Sequence, residues 1–295
     1  MNAPLLADPP SSPVVDATRD AAPSIVAALN HLRPTDAKPV SYAFPPPPGV
    51  PWESAAYDAI PTRIADLRGR APSIRREGFE LRDAPTAVKN FLDDDEVRRV
   101  YHPEAAELAR AVTGATRAIV FDHLVRRREA GRPGLGFGRD TASGRPGANG
   151  HVHNDYTEAS GPRRFGQVLA DARERDGVRR FGIVNLWRSI KGPVLDAPLA
   201  VCDARTTQPA ERVTAEVRYP GRTGEIWLLT PSPRHRWAYF SAMDRHEVLA
   251  FTQYDSDTGA DARFTFHAAF EHPDVPADAP PRESIEVRCL VLYDA

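Results

Sequence analysis

From residue 181 to the C-terminus the chain is a succession of short apolar runs: FGIVNLWRSI, PLAVCDA, RVTAEVRY, GEIWLLT, HRWAYFS, EVLAFTQYD, ARFTFHAAF and SIEVRCLVLYD. Turn-forming residues separate them. Short strands at this spacing bury their apolar faces only by stacking two sheets or closing one, so they indicate a sandwich or barrel. The earlier part of the chain supplies helical patterns. Residues 94–113 carry Val97, Val100, Tyr101, Leu108 and Val112 as a helical stripe that stops at Gly114. Phe165, Val168, Leu169 and Ala172 share a helix face within 163–178, and Ile25, Leu29 and Leu32 do so within 22–32. Residues 73–83 alternate like an edge strand, and AIVFDHLV at 118–125 reads as a buried one. The expected fold class is therefore mainly β with flanking helices: a double-sheet jelly roll with helices packed on one outer face.

No internal repeat or compositional break calls for a second domain. One domain over 21–295 is expected, with its jelly-roll core mainly in 115–295. Proline is abundant, at 29 residues, and concentrates near the start of the chain, where it favours extended backbone over packed elements. Residues 1–20 are accordingly read as a mobile segment and 39–52 as an extended strap. A formal net charge of -2 recommends neither nucleic acid nor an anionic membrane as partner. No apolar run is long enough to span a bilayer, and the first residues do not read as a signal peptide. The two cysteines, Cys202 and Cys289, suit a reducing cytoplasm.

The chemistry concentrates around GANGHVHNDYTEASGPRR at 147–164. It follows a stretch, 131–150, that holds seven glycines and two prolines and reads as a long functional loop or lid. Side chains two apart on a strand share a face, so His153 and Asp155 converge. A histidine from a distant strand would complete two imidazoles and one carboxylate on one face of a metal. That set leaves coordination positions open and points to non-haem Fe(II). His267, in RFTFHAAF, is the candidate. Arg282, Ser284, Glu286 and Arg288 follow on one strand face, where guanidinium groups would meet the carboxylates of a diacid cosubstrate. Glu286 is read as an arginine partner. His151 is farther from Asp155 in sequence and is read as a neighbour of the metal ligands or a solvent-facing residue. A polar histidine-rich loop with no metal remains the plain alternative for this motif. No G-x-G-x-x-G pattern supports a nicotinamide or flavin cofactor.

The stretches HVHNDYT, NLWRSIKGPVLDAPLAVCDA, HRWAYFSAMDRHEVLAFTQYDS and PRESIEVRCLVLYD resemble a family of oxygenases of specialised metabolism, which includes the fungal gibberellin desaturase and proteins related to the cephamycin 7-methoxylation component. The resemblance runs from about residue 73 to the end. It implies a double-stranded β-helix and Fe(II)- and 2-oxoglutarate-dependent hydroxylation or desaturation, or cyclisation, of a small molecule, using O₂ and releasing succinate and CO₂. By position it implies His153, Asp155 and His267 as metal ligands and Arg282 with Ser284 as the cosubstrate site. The spacing of Arg288 resembles the second cosubstrate arginine of alkylated-nucleic-acid repair dioxygenases, which makes it a candidate for the 1-carboxylate. Many fungal members read His-Val-Asp-Gln at the first site; pairing His153 with Asp155 preserves the His-x-Asp pattern. Asn185 is expected to hydrogen-bond cosubstrate or water. Arg163, Arg164, Trp187, His235 and Trp237 are candidate substrate contacts, with a solvated helix start, core packing and a strand end as their plainer roles. Two other readings remain at this point: a jelly roll that binds a small ligand without turnover, and an iron oxygenase that does not use 2-oxoglutarate.

Overall fold

The computed structural model describes residues 22–129, 131, 134–139 and 144–295; the expected mobile segment 1–20 lies outside them. Two sheets form the body. A nine-stranded sheet runs β1-β3-β11-β8-β13-β6-β10-β9-β2, and a five-stranded sheet runs β4-β12-β7-β14-β5. The first contains β1 (Ser24–Leu32), β2 (Val40–Tyr42), β3 (Tyr57–Asp66), β6 (His153–Asn154), β8 (Leu199–Cys202), β9 (Arg212–Tyr219), β10 (Arg222–Leu229), β11 (Trp237–Tyr239) and β13 (His267–Ala269). The second contains β4 (Phe79–Asp83), β5 (Arg117–Arg127), β7 (Val178–Ser189), β12 (Glu247–Asp255) and β14 (Glu283–Asp294). This is the double-stranded β-helix that the run of short strands predicts.

The five-stranded sheet has one apolar face and one polar face, because alternate side chains on a strand point opposite ways. On β14, Ile285, Val287, Cys289 and Val291 pack under the helical layer with Val97, Tyr101, Ala105, Ala109 and Val112. That layer is α1 (Asp94–Glu96), a π-helical turn at Val97–Tyr101, and α2 (His102–Thr113). It stops where expected, at Gly114 in the left-handed conformation (φ 73°), the C-terminal position glycine favours. Ser284, Glu286 and Arg288 face the other way, towards the nine-stranded sheet. Arg188, on the helix side of β7, donates Nε–H to the Tyr101 hydroxyl at 2.8 Å and ties the layers together.

Three expectations need correction. Residues 22–32 form strand β1 rather than a helix, paired with β3 from Ser24↔Ala65 to Leu32↔Tyr57. The Ile25–Leu29 interval of four fits a strand face as well as a helix face, and the exposed Val26 and Ala28 show period two. Strand β5 lies at a sheet edge and is mostly half-buried. The helix expected over 163–178 is broken: α3 (Ser160–Val168) ends at Leu169, α4 (Ala172–Arg175) is one turn, and β7 begins at Val178. The strap at 39–52 contributes β2, whose Val40–Tyr42 pair with Glu216–Arg218 of β9.

Gly78 joins the turn at 73–77 to β4. Its φ is 94°, and an added Cβ would lie 2.3 Å from Thr265 Oγ1. Its carbonyl accepts from Thr252 N at 2.8 Å and from Thr265 Oγ1 at 2.9 Å, which fixes the chain leading to His267. Gly78→Ala is expected to cost about 3 kcal/mol through backbone strain and overpacking. The midpoint of urea unfolding measures it; an unchanged midpoint would contradict this role for Gly78.

Candidate metal centre

The ends of two very short strands bring the histidines together. β6 is only His153–Asn154, held between β10 and β13, and His153 lies directly opposite His267 in the pairing of β6 with β13. Asp155 follows the last residue of β6. One ligand atom from each of His153, Asp155 and His267 lies within 4.8 Å of the others. The imidazole centroids are 4.2 Å apart, and His153 Nε2 is 3.5 Å from Asp155 Oδ1.

Backbone carbonyls set the rings' orientation. His153 Nδ1 is 2.7 Å from the His151 carbonyl and His267 Nδ1 is 3.3 Å from that of Thr265. In the tautomers these acceptors favour, Nδ1–H donates and the Nε2 atoms carry the lone pairs an ion would take; that of His153 is also 3.4 Å from Asn149 Nδ2. Asp155 is held from its other side. Its Oδ2 accepts from Arg288 Nε at 2.9 Å and Asn185 Nδ2 at 3.0 Å, so Oδ1 faces the histidines. Gln253 links the two parts of the site: Oε1 accepts from Asp155 N at 2.8 Å, and Nε2 donates to the Thr265 carbonyl at 3.0 Å. Burial raises the Asp155 carboxyl's affinity for a proton, but the Arg288 guanidinium and contact with His153 outweigh it and hold the group well below the usual carboxylate range. Burial, followed by the neighbouring His153, lowers His267 to about 3, so its imidazole is neutral and ligand-ready at physiological pH. Two imidazoles and one ionised carboxylate on one side of a point are the donor set for a non-haem ferrous site with open positions.

Strand register places a polar strip beside the ligands. Ser284, Glu286 and Arg288 of β14 lie opposite Ser189, Trp187 and Asn185 of β7, and opposite Arg126, Leu124 and Asp122 of β5. Arg282, one residue before β14, is buried. Its Nε donates to Ser284 Oγ at 3.1 Å, its Nη1 donates to the Ala197 carbonyl at 2.9 Å, and its guanidinium lies 5.1 Å from the Trp187 ring centroid. No carboxylate among the described residues forms an ion pair with that guanidinium. Burial and then repulsion from Arg126 lower it to about 9. Two further buried atoms on this strip, Asn185 Oδ1 and Trp187 Nε1, have no hydrogen-bond partner. A buried cation and orphaned polar atoms are costly in an empty protein and are offset by an anionic, oxygen-rich ligand. The strip therefore fits a keto-diacid. Arg288 is already engaged by Asp155, Asp122 and Glu286, so its part in this geometry is to orient Asp155.

A cleft of about 490 Å³ opens on His153, Asp155 and Arg288, and both Arg163 and Arg164 line it. The segment 134–139 from the glycine-rich loop contributes Phe137, Gly138 and Arg139 to its wall. Trp187 is buried against Arg282 and does not line this cleft. His235 and Trp237 line a separate cavity of about 470 Å³ with His31. There His235 Nε2 is 3.0 Å from Glu211 Oε2. The alternating strand pattern alone could not assign them to one cavity or the other. His151 stacks on Tyr57 with centroids 3.6 Å apart, beside the site. The residues not identified from the sequence are Arg126 and Gln253. A glutamine in the middle of an apolar strand, as in EVLAFTQYD, was the available signal for the latter.

The family model described as an oxidoreductase/YMDC permease-like domain matches residues 29–292. The Fe(II)/2-oxoglutarate-dependent dioxygenase nvfI of Aspergillus novofumigatus is 33% identical over 260 residues, covering 85% of this chain and 90% of that protein. The hydroxylase/desaturase efuI of Hormonema carpetanum is 31% identical over 259 residues, covering 81% and 85% respectively. Among solved structures, an iron- and alpha-ketoglutarate-dependent endoperoxidase, NvfI, superposes with a TM-score of 0.81 at 26% identity, covering 92% of this chain and 99% of that one. No helix among the described residues is long and apolar enough to cross a membrane.

Replacing Arg288 by Leu leaves the buried Asp155 without its cationic partner. The expected loss is about 3–5 kcal/mol in urea unfolding of the metal-free protein. Saturating Mn(II) should recover part of it by supplying the missing positive charge. A loss that Mn(II) leaves untouched would contradict the role given to Arg288.

Proposed function

The chain belongs to the family of Fe(II)/2-oxoglutarate-dependent dioxygenases and hydroxylase/desaturases, and from that premise we propose which of its residues carry the reaction. The enzyme is an oxygenase of natural-product biosynthesis acting on a small molecule, with Fe(II), 2-oxoglutarate and O₂ as its cofactor and cosubstrates. The readings as a non-catalytic ligand-binding jelly roll and as an oxygenase independent of 2-oxoglutarate do not agree with these relatives.

His153, Asp155 and His267 hold the iron. The observation that supports this is the convergence of the three ligand atoms within 4.8 Å, from parts of the chain more than a hundred residues apart. Arg282 and Ser284 receive the distal carboxylate of 2-oxoglutarate, a role supported by the buried guanidinium that lacks a carboxylate partner. Held there, the iron and 2-oxoglutarate would supply the oxidising chemistry, in which O₂ is consumed, 2-oxoglutarate leaves as succinate and CO₂, and a substrate C–H bond is oxidised. The protein's share is placement. Arg288 and Asn185 keep Asp155 ionised with Oδ1 turned to the metal, the strip from Asn185 to Ser284 receives the cosubstrate, and the segment 134–139 walls the cleft. The unpaired thiols Cys202 and Cys289, both buried, support a reducing compartment such as the cytoplasm.

Anaerobic addition of Fe(II) and 2-oxoglutarate should produce a weak visible charge-transfer band. His153→Ala and His267→Ala are each expected to abolish it, and iron content measured after desalting should fall with it. Arg282→Gln should keep the iron and weaken 2-oxoglutarate binding about a hundredfold, as for loss of a buried charge-assisted pair. A normal band in His267→Ala would refute the ligand set.

A further inference from the structure

We propose that the substrate of this site carries a carboxylate or equivalent anion, received in the cleft by Arg164 and Arg222. The proposal rests on the oxygenase reading and names the class of molecule it acts on. Among the described residues six arginines line the cleft, against the acids Asp122, Asp155 and Glu225. All three acids are taken: Asp122 and Asp155 by Arg288, and Glu225 by Lys38 at 3.2 Å and the Thr157 hydroxyl. Two arginines are taken as well. Arg288 holds its carboxylates, and Arg139 pairs with Glu53 at 2.7 Å. Arg126 donates to the carbonyls of Gly138 and Gly147.

Arg163, Arg164 and Arg222 are left, and none makes an ion pair with a carboxylate among the described residues. Aromatic rings hold two of them in place. The Arg222 guanidinium lies 3.8 Å from the Tyr219 ring centroid, and that of Arg164 lies 5.3 Å from the Phe121 centroid. Arg164 Nε is buried without a hydrogen-bond partner, while the same guanidinium interacts with the Tyr156 hydroxyl. A ring contact of this kind uses none of a guanidinium's N–H donors, and the guanidinium edge is the part that grips a carboxylate with two parallel bonds. Tyr156, Tyr219, Val217 and Ile226 line the same cleft and offer apolar surface for a carbon skeleton. The two arginines thus hold the anionic end of an otherwise apolar acid while the body of the molecule reaches towards the ligands.

The test uses a matched probe pair, 4-phenylbutyrate and 4-phenylbutanol, titrated by NMR into protein loaded with Zn(II) and 2-oxoglutarate. The acid should bind at least tenfold more tightly than the alcohol. Arg164→Gln/Arg222→Gln should remove that preference without lowering the unfolding midpoint, and the dissociation constant for 2-oxoglutarate should stay within twofold of wild type. Equal binding of acid and alcohol, or binding of neither, overturns the proposal. So does equal weakening of 2-oxoglutarate and probe, which would assign these arginines to the cosubstrate. The visible band of the Fe(II) form reports separately on the oxygenase reading: its presence with no preference for the acid refutes the substrate class alone.

Discussion

The contact between Asp155 and Arg288 is the interaction on which the site depends. A carboxylate this buried would ordinarily take up a proton, and a protonated acid is a poor ligand. Arg288 prevents that and also fixes which oxygen is free. Asn185 shares the same oxygen, so the remaining one has a single direction in which to face. The cost of desolvating the guanidinium is offset by three carboxylates around it, which is the condition under which a buried charge is stable. Arg288 and Asp155 come from opposite sheets, so the pair also fixes the distance between them.

The strict alternation of β14 makes this possible. One strand supplies Ile285, Val287, Cys289 and Val291 to the helical layer and Ser284, Glu286 and Arg288 to the interior strip. Its neighbour β7 does the same, with Arg188 directed at Tyr101 and Asn185 at Asp155. The outer faces supply cohesion and the inner faces supply chemistry. A register shift of one residue in either strand would exchange the two.

Much of this was legible in the sequence, and the exceptions have physical causes. The short strands after 181, the helix ending at Gly114, and the shared faces of Arg282 with Arg288 and Asn185 with Trp187 follow from local periodicity, which the chain records directly. β1 is ambiguous in sequence because apolar residues four apart satisfy both periods, and only pairing with β3 decides between them. Positions 153, 155 and 267 could be proposed as partners from chemistry and family resemblance, but their approach to one point is a tertiary fact. The separation of His235 and Trp237 from the cleft, and the commitment of Arg288 to Asp155, depend on which sheets curl over which. No spacing rule encodes that.

The strands that carry the two imidazoles are among the shortest in the molecule, two residues in β6 and three in β13, and they meet at the ligands themselves. So few ladder bonds provide little local stability, and the polar link through Gln253 braces the two segments against each other. An ion gripped by both side chains would act as a rivet across this seam. Chelation would then loosen the middle of the large sheet first, while the helix-backed sheet stayed shut, and iron supply would govern how long the folded enzyme survives as well as how fast it works.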